Sequence, residues 1–100
     1  MVEEKIGIVE HFFTNVGVAA IKITNGELKV GDTIHVVGMH TDIKQKIESM
    51  QINRVPVQSV KTGDDVGIKL IERARENDVV YKIKEELKNE GVSWSKNFES

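Results

Sequence analysis

The chain has 100 residues, of which 39% are hydrophobic and 30% charged, with a formal net charge of −2 and no cysteine. That length suits one domain, typically ~100–150 residues, and the balance of apolar and charged residues suits a folded soluble chain rather than a disordered one. It excludes disulfides and cysteine-held metals, a membrane-crossing helix, which needs ~18 successive apolar residues, and the overall basic excess usual in a general nucleic-acid binder.

The acidic opening Met1-Val2-Glu3-Glu4-Lys5 lacks the basic-then-apolar layout of a secretory leader, so a reducing, cytoplasmic setting is expected. From there the chain runs as short β-branched segments separated by turn residues, the pattern of an all-β barrel or sandwich. Residues 5–13 read as a first strand, with Ile6, Ile8 and Phe12 on one face and Gly7, Val9, His11 and Phe13 on the other. Thr14-Asn15 turns the chain into a second strand over 16–24. Its phase slips in the middle, which a β-bulge near Ala19-Ala20 or the covering of both faces explains. Asn25-Gly26 and Val30-Gly31-Asp32 mark tight turns. A strand over 33–37 points Ile34 and Val36 inward. A long strand over 42–53 reverses phase between Ile47 and Met50, so a bulge is expected near Ser49. After a turn at 61–64 comes a strand over 65–71, then a polar loop over 72–78. Val79 to Ile83 fit either a helical stripe capped by Asp78 or a strand; Tyr81 and the paired valines favour the strand. Residues 84–89 read as a short helix within a tail that carries Trp94 and Phe98.

Catalytic signatures do not appear. There is no Gly-x-x-x-x-Gly-Lys-Ser/Thr loop for a nucleoside triphosphate, no Gly-x-Gly-x-x-Gly and no Gly-x-Ser-x-Gly. His11, His35 and His40 share no metal-ligand spacing and read as strand-face or exposed histidines. Asp32, Asp64 and Asp65 read as turn aspartates bonded to the local backbone. Lys44, Lys46 and Lys69 fall on outward strand positions. Glu72-Arg73-Ala74-Arg75-Glu76 is either a solvated loop or, through the forked guanidinia of Arg73 and Arg75, a phosphate contact. Phe12 and Phe13 point oppositely on a strand, so one belongs to the core and the other is covered by the tail or exposed for stacking.

The run Gly26-Glu27-Leu28-Lys29-Val30-Gly31-Asp32-Thr33-Ile34-His35-Val36-Val37-Gly38 resembles a signature of the second domain of elongation factor Tu and its relatives. Gly63-Asp64-Asp65-Val66-Gly67-Ile68-Lys69-Leu70 resembles that family's second signature, and the two stand in the family's order. Ile47-Glu48-Ser49-Met50-Gln51-Ile52, Pro56-Val57 and Gly67-Ile68-Lys69 resemble stand-alone versions and the barrel that follows the catalytic part of collagenase-like peptidases. The resemblance implies an all-β fold, a six-stranded closed antiparallel β-barrel of the translation-protein type over residues 1–83, with a helical or irregular tail over 84–100.

The resemblance also implies a function. In that family the barrel helps hold the aminoacyl end of tRNA, and Asn53-Arg54 falls where a His-Arg or similar pair approaches the tRNA terminus. Asp65 stands where the family has an Asn lining the aminoacyl pocket. The segment Thr14-Asn15-Val16-Gly17 replaces a Gly-x-Gly-Thr. A non-catalytic binding module for tRNA, ribosomal RNA or a ribonucleoprotein is expected, with Arg54, Asn53, Lys44, Lys46, Arg73 and Arg75 as the RNA-binding candidates. The alternative is a protein-interaction adaptor or accessory subunit of a peptidase-like or RNA-modifying enzyme, with Trp94 and Phe98 as its handle. No cofactor, metal, nucleoside triphosphate or membrane partner is expected.

Overall fold

In the computed structural model, which describes residues 2–84, three corners of the chain are built alike. The Lys29 amide donates to the Asp32 carboxylate at 2.8 Å, and the Asp32 amide donates back to the Lys29 carbonyl at 3.0 Å. The same pair of bonds joins Lys61 and Asp64 at 2.9 and 2.9 Å, and Arg75 and Asp78 at 2.8 and 3.1 Å. The third residue of each corner is left-handed: φ is 101° at Gly31, 99° at Gly63 and 74° at Asn77. Glycine adopts that conformation at no steric cost, and asparagine more readily than most side chains.

Each corner launches a strand, β4 (Thr33–Gly38), β9 (Asp65–Lys69) and β10 (Val79–Lys84). The remaining strands are β1 (Val2–Phe13), β2 (Val18–Ile23), β3 (Glu27–Lys29), β5 (Thr41–Lys46), β6 (Met50–Ile52), β7 (Val55–Val57) and β8 (Ser59–Lys61). Eight of them form an antiparallel ladder in the order β5-β4-β10-β1-β2-β9-β6-β7, and β3 and β8 form a separate ribbon. The fold is all-β over the described residues, and the strand expected at 79–83 is β10. The helical tail, with Trp94 and Phe98, lies outside the described residues.

The expected closed six-stranded barrel is corrected to ten strands in two sheets. The ladder ends at β5 and β7, which do not pair with each other. One long strand was expected over 42–53. The chain instead breaks at residues 47–49, so that β5 pairs with β4 while β6 pairs with β9. A single segment thus runs from the end strand β5 to β6, next to the opposite end of the ladder, and draws the sheet round one core. Leu28 and Val60 of the ribbon are buried in that same core with Ile6, Ile21, Ile23, Ile34, Ile43 and Ile68. Each such side chain contributes ~1.5–3 kcal/mol on burial. That exceeds the ~0–1 kcal/mol of a surface ion pair, so the interior rather than the charged exterior decides stability.

A second correction concerns phase. No bulge interrupts β2, whose Ala19, Ile21 and Ile23 alternate regularly into the core. The irregularities lie in β1, between Lys5 and Gly7 and between Val9 and His11. The first of them explains why Ile6 and Val9 are both fully buried, where Ile6, Ile8 and Phe12 were expected on one face. A β-carbon on Gly7 would stand 2.5 Å from the Lys22 carbonyl oxygen, so only glycine fits the first bulge. The strand expected over 65–71 is also shorter than its sequence suggests: β9 stops at Lys69, and the Leu70 amide turns to the Gly17 carbonyl at 2.9 Å.

Gly38, at the end of β4, has its Cα against the buried carboxylate of Asp78, and an added β-carbon would overlap that carboxylate. Gly38→Ala is expected to lower stability by about 1–3 kcal/mol, as overpacking does. In an Asp78→Ala background the same change should cost less than half as much, a coupling that urea denaturation of the four variants measures. Additive costs would rule out the carboxylate contact as the cause.

Candidate functional site

The β6–β7 hairpin turns on two residues, Asn53 and Arg54, both left-handed at φ 51° and 66°. Such a turn matches the twist of the flanking strands and most often carries Asn followed by Gly. Here the second position holds an arginine, at a cost of about 1–3 kcal/mol. Across from it, β1 overruns its partner and turns back through Thr14–Gly17 into β2. These two turns, the start of β9 and the first half of β2 line a groove of about 690 Å³. Phe13, Val16, Val18 and Ala20 make its apolar lining, and Phe13 and Val16 are 46% and 54% exposed. Gly67 lies against Gln51 and Val18, at 3.3 and 3.4 Å from where its β-carbon would be, so a larger residue there would intrude on the groove wall.

The polar lining is asymmetric. Arg54 is exposed and makes no ion pair among the described residues. Asp65 approaches Lys22 at 3.6 Å. Outside the groove, hydrogen bonding to Asp65 raises the Glu10 carboxyl above its ordinary range; desolvation and the Asp65 charge push the same way, and Lys22 opposes them. The groove itself therefore holds an unpaired cation, Arg54, and a carboxylate, Asp65, that faces Lys22.

The sequence candidates fall in three separate places. Asn53, Arg54 and Asp65 come together in the groove. Lys44 and Lys46 lie on exposed positions of β5 and take no part in it. Arg73 and Arg75 line a smaller depression of about 300 Å³ with His11, Phe12 and Glu76. Phe12 packs half-buried against the core, while Phe13 stacks edge-on against His11 with ring centres 4.6 Å apart. Of the adjacent phenylalanines Phe13 is the exposed one; Val16 and Gln51 were not foreseen as site residues, because an apolar residue beside a turn reads as core and a glutamine within a strand as an ordinary outward position.

Two histidines are paired with carboxylates. His11 Nδ1 lies 3.0 Å from Glu76. His35, on β4, reaches Glu3 of β1 through Nδ1 at 2.9 Å and Asp42 of β5 through Nε2. The two carboxylates hold the His35 pKa above 6.5, Asp42 first and Glu3 second, with burial opposing them. Opposite His35 on the neighbouring strands stand Tyr81 and Lys44. Asp32 and Asp64 bond the local backbone as expected; Asp65 does not, and faces Lys22 and Glu10 instead. Among the described residues no group of three or more His, Asp or Glu converges as a metal site.

The family model for elongation factor Tu domain 2 matches residues 17–77. An uncharacterised protease of Methanocaldococcus jannaschii is 42% identical over 84 residues, 83% of this chain and 20% of its own length. A collagenase of Porphyromonas gingivalis is 33% identical over 73 residues, 72% of this chain and 20% of its own. The chain thus spans about one fifth of the length of these curated relatives. Among solved structures, the C-terminal domain of a protein described as a U32 peptidase from Geobacillus thermoleovorans superposes with a TM-score of 0.74 at 18% identity. That match covers 81% of this chain and 93% of that domain.

The His35 cluster fixes a pH dependence. A histidine whose folded pKa is raised adds stability that is complete below its unfolded pKa, near 6.5, and is lost as pH rises through the folded value. The difference in melting temperature between the parent chain and His35→Gln should be largest near pH ~6 and shrink as pH climbs past ~6.5. Thermal melts across that range check it, and a difference that grows with pH would contradict it.

Proposed function

Since the chain belongs to the elongation factor Tu domain 2 family, we propose that it is a non-catalytic binding module serving a U32-peptidase-like catalytic part, either attached to it or beside it. One observation supports this reading above others. The chain matches nearly the whole of a peptidase's C-terminal domain, yet only about one fifth of the peptidase-like proteins it resembles in sequence. Its size is that of the accessory unit. The groove beside Arg54 is the surface such a unit offers to a ligand, apolar with a few placed polar groups. A cysteine-free sequence fits a cytoplasmic setting for it.

A second reading, an RNA module, is favoured by a different observation: Asn53, Arg54 and Asp65, the positions the family resemblance ties to a tRNA terminus, share one groove with the exposed ring of Phe13. An aromatic face and one guanidinium suit a stacked base and its phosphate. Against it stand the Asp65 carboxylate in the groove and the scatter of the other basic candidates over separate surfaces.

The catalytic part of a U32-type peptidase, freed of its own C-terminal domain, separates the two. Adding this chain should lower the KM for a peptide substrate several-fold with kcat little changed. Neither association nor a KM effect at ~100 μM chain would sink the accessory reading. Under the RNA reading, tRNA binding should weaken steeply between 50 and 200 mM salt, about tenfold for each pair of phosphates neutralised, and Arg54→Ala should lower it further.

A further inference from the structure

We propose that the groove between the β1–β2 turn and the β6–β7 turn takes the free carboxy-terminal end of a peptide with an apolar last side chain, Arg54 holding the terminal carboxylate. The choice of a peptide rests on the reading of the chain as a module serving a peptidase-like part; the site itself is argued from its geometry.

The first argument is conformational. Arg54 sits left-handed at φ 66°, directly after a left-handed Asn53. Glycine relaxes that position, and an arginine there is strained whatever surrounds it. Strain of this kind persists where a side chain is needed in a fixed place. The turn directs Arg54 to the groove, where no described carboxylate pairs with it. A planar guanidinium with free donors matches a carboxylate through two parallel bonds.

The second argument is about what lies beside the cation. Phe13 and Val16 are half-exposed at the groove and, with Val18, offer an apolar seat next to Arg54. A volume of about 690 Å³ suits two or three residues of a chain end. A ligand with one negative charge at its tip and an apolar group behind it satisfies both features.

The third argument excludes a polyanion. Asp65 lines the same groove out of ion-pair reach of Arg54, and the Lys22 ammonium meets it only at 3.6 Å. A nucleic-acid strand entering the groove would bring several phosphates toward that carboxylate. A peptide terminus brings a single carboxylate, to the side where Arg54 stands, and its uncharged amides meet the acidic side without repulsion.

The test uses an acetylated five-residue peptide ending in Leu-Phe, prepared with a free carboxylate and as the amide, and a short single-stranded RNA. Each is titrated into the full chain and followed by amide shifts in NMR. The free acid is expected to shift residues at 13–18, 51–54 and 65–67 and to bind at least tenfold more tightly than the amide. Arg54→Gly is expected to weaken the acid at least tenfold while raising the melting temperature by a few degrees, since it relieves the turn; a variant that melts no lower than the parent has not failed by unfolding. Val16→Ser should weaken acid and amide alike. Equal binding of acid and amide, unchanged acid binding by Arg54→Gly, or RNA shifting the same residues more strongly than the acid would overturn the proposal. If the chain lowers the KM of the catalytic part but the acid peptide does not bind, this inference alone falls. If the acid peptide binds but the catalytic part is unaffected, the accessory role falls and the groove assignment stands.

Discussion

The fold hangs on one small device, an aspartate that caps the amide three residues behind it while the residue before it turns left-handed. A strand reversal leaves backbone donors and acceptors unpaired unless something local satisfies them. At Asp32, Asp64 and Asp78 the carboxylate takes the first amide and the aspartate's own amide returns a bond to the same residue. The corner is therefore closed by bonds that need no strand partner. It also fixes where the next strand begins, and in a sheet that start decides which face every later side chain takes. The burial of Ile34 and Val36 after the first corner, of Val66 and Ile68 after the second, and of Val80 after the third all follow from it.

These corners were readable to the degree that their chemistry is distinctive. Gly31-Asp32 and Gly63-Asp64 announce themselves because glycine and aspartate have few other reasons to sit together between aliphatic runs. The third corner, Arg75-Glu76-Asn77-Asp78, has the same bonds but uses Asn77 for the left-handed position, and in the sequence it dissolves into a charged loop. The bulges were harder. Ile6, Gly7, Ile8 and Val9 suit either face, so the slip in β1 left no mark of its own, and the two alanines of β2 drew it instead. Strands β3, β7 and β8 are three residues each, too short for any alternation to show. The site divided in the same way. Asn53 and Arg54 were reachable through a family pattern. Adjacency in a strand showed that Phe12 and Phe13 part company but not which lies outside, and Val16 was not reachable, since nothing in a sequence separates an apolar residue that lines a groove from one that fills a core. Lys44, Lys46, Arg73 and Arg75 were candidates by their charge, which says nothing of place, and the topology sets them on separate surfaces.

The ion pairs do not carry the fold, with one qualification. Lys22–Asp65 and Lys84–Glu4 join exposed partners, and such pairs are worth little after desolvation and side-chain ordering. His35 differs by position rather than strength. Its ring is shielded, and through Glu3 and Asp42 it links β1 and β5, which do not touch each other in the ladder. The N-terminal part of β1 pairs only with β10 before it meets β2 at Gly7. A tie from beyond that neighbour restrains a stretch of strand that has one hydrogen-bonded side, and it does so only while the imidazole can donate from both nitrogens.

Stability and recognition are assigned to different parts of this chain. The core is aliphatic, closed, and fixed by the phase of its strands, so any residue exchanged there disturbs packing first. The turn tips bear no such load. A left-handed arginine costs about 1–3 kcal/mol, comparable to the ~1.5–3 kcal/mol that a single buried isoleucine returns. A fold with Ile6, Ile21, Ile23, Ile34, Ile43, Ile47 and Ile68 all sealed from water can carry that expense at one turn without risk to the whole. The edge beside the turn obeys the same division. Pro56, opposite Gln51, has no amide to offer, so β7 ends the ladder without inviting another strand along its flank. At that end of the described residues the groove sets a strained cation and an exposed ring side by side, so a charge and an apolar surface stand together where the fold has no packing to lose.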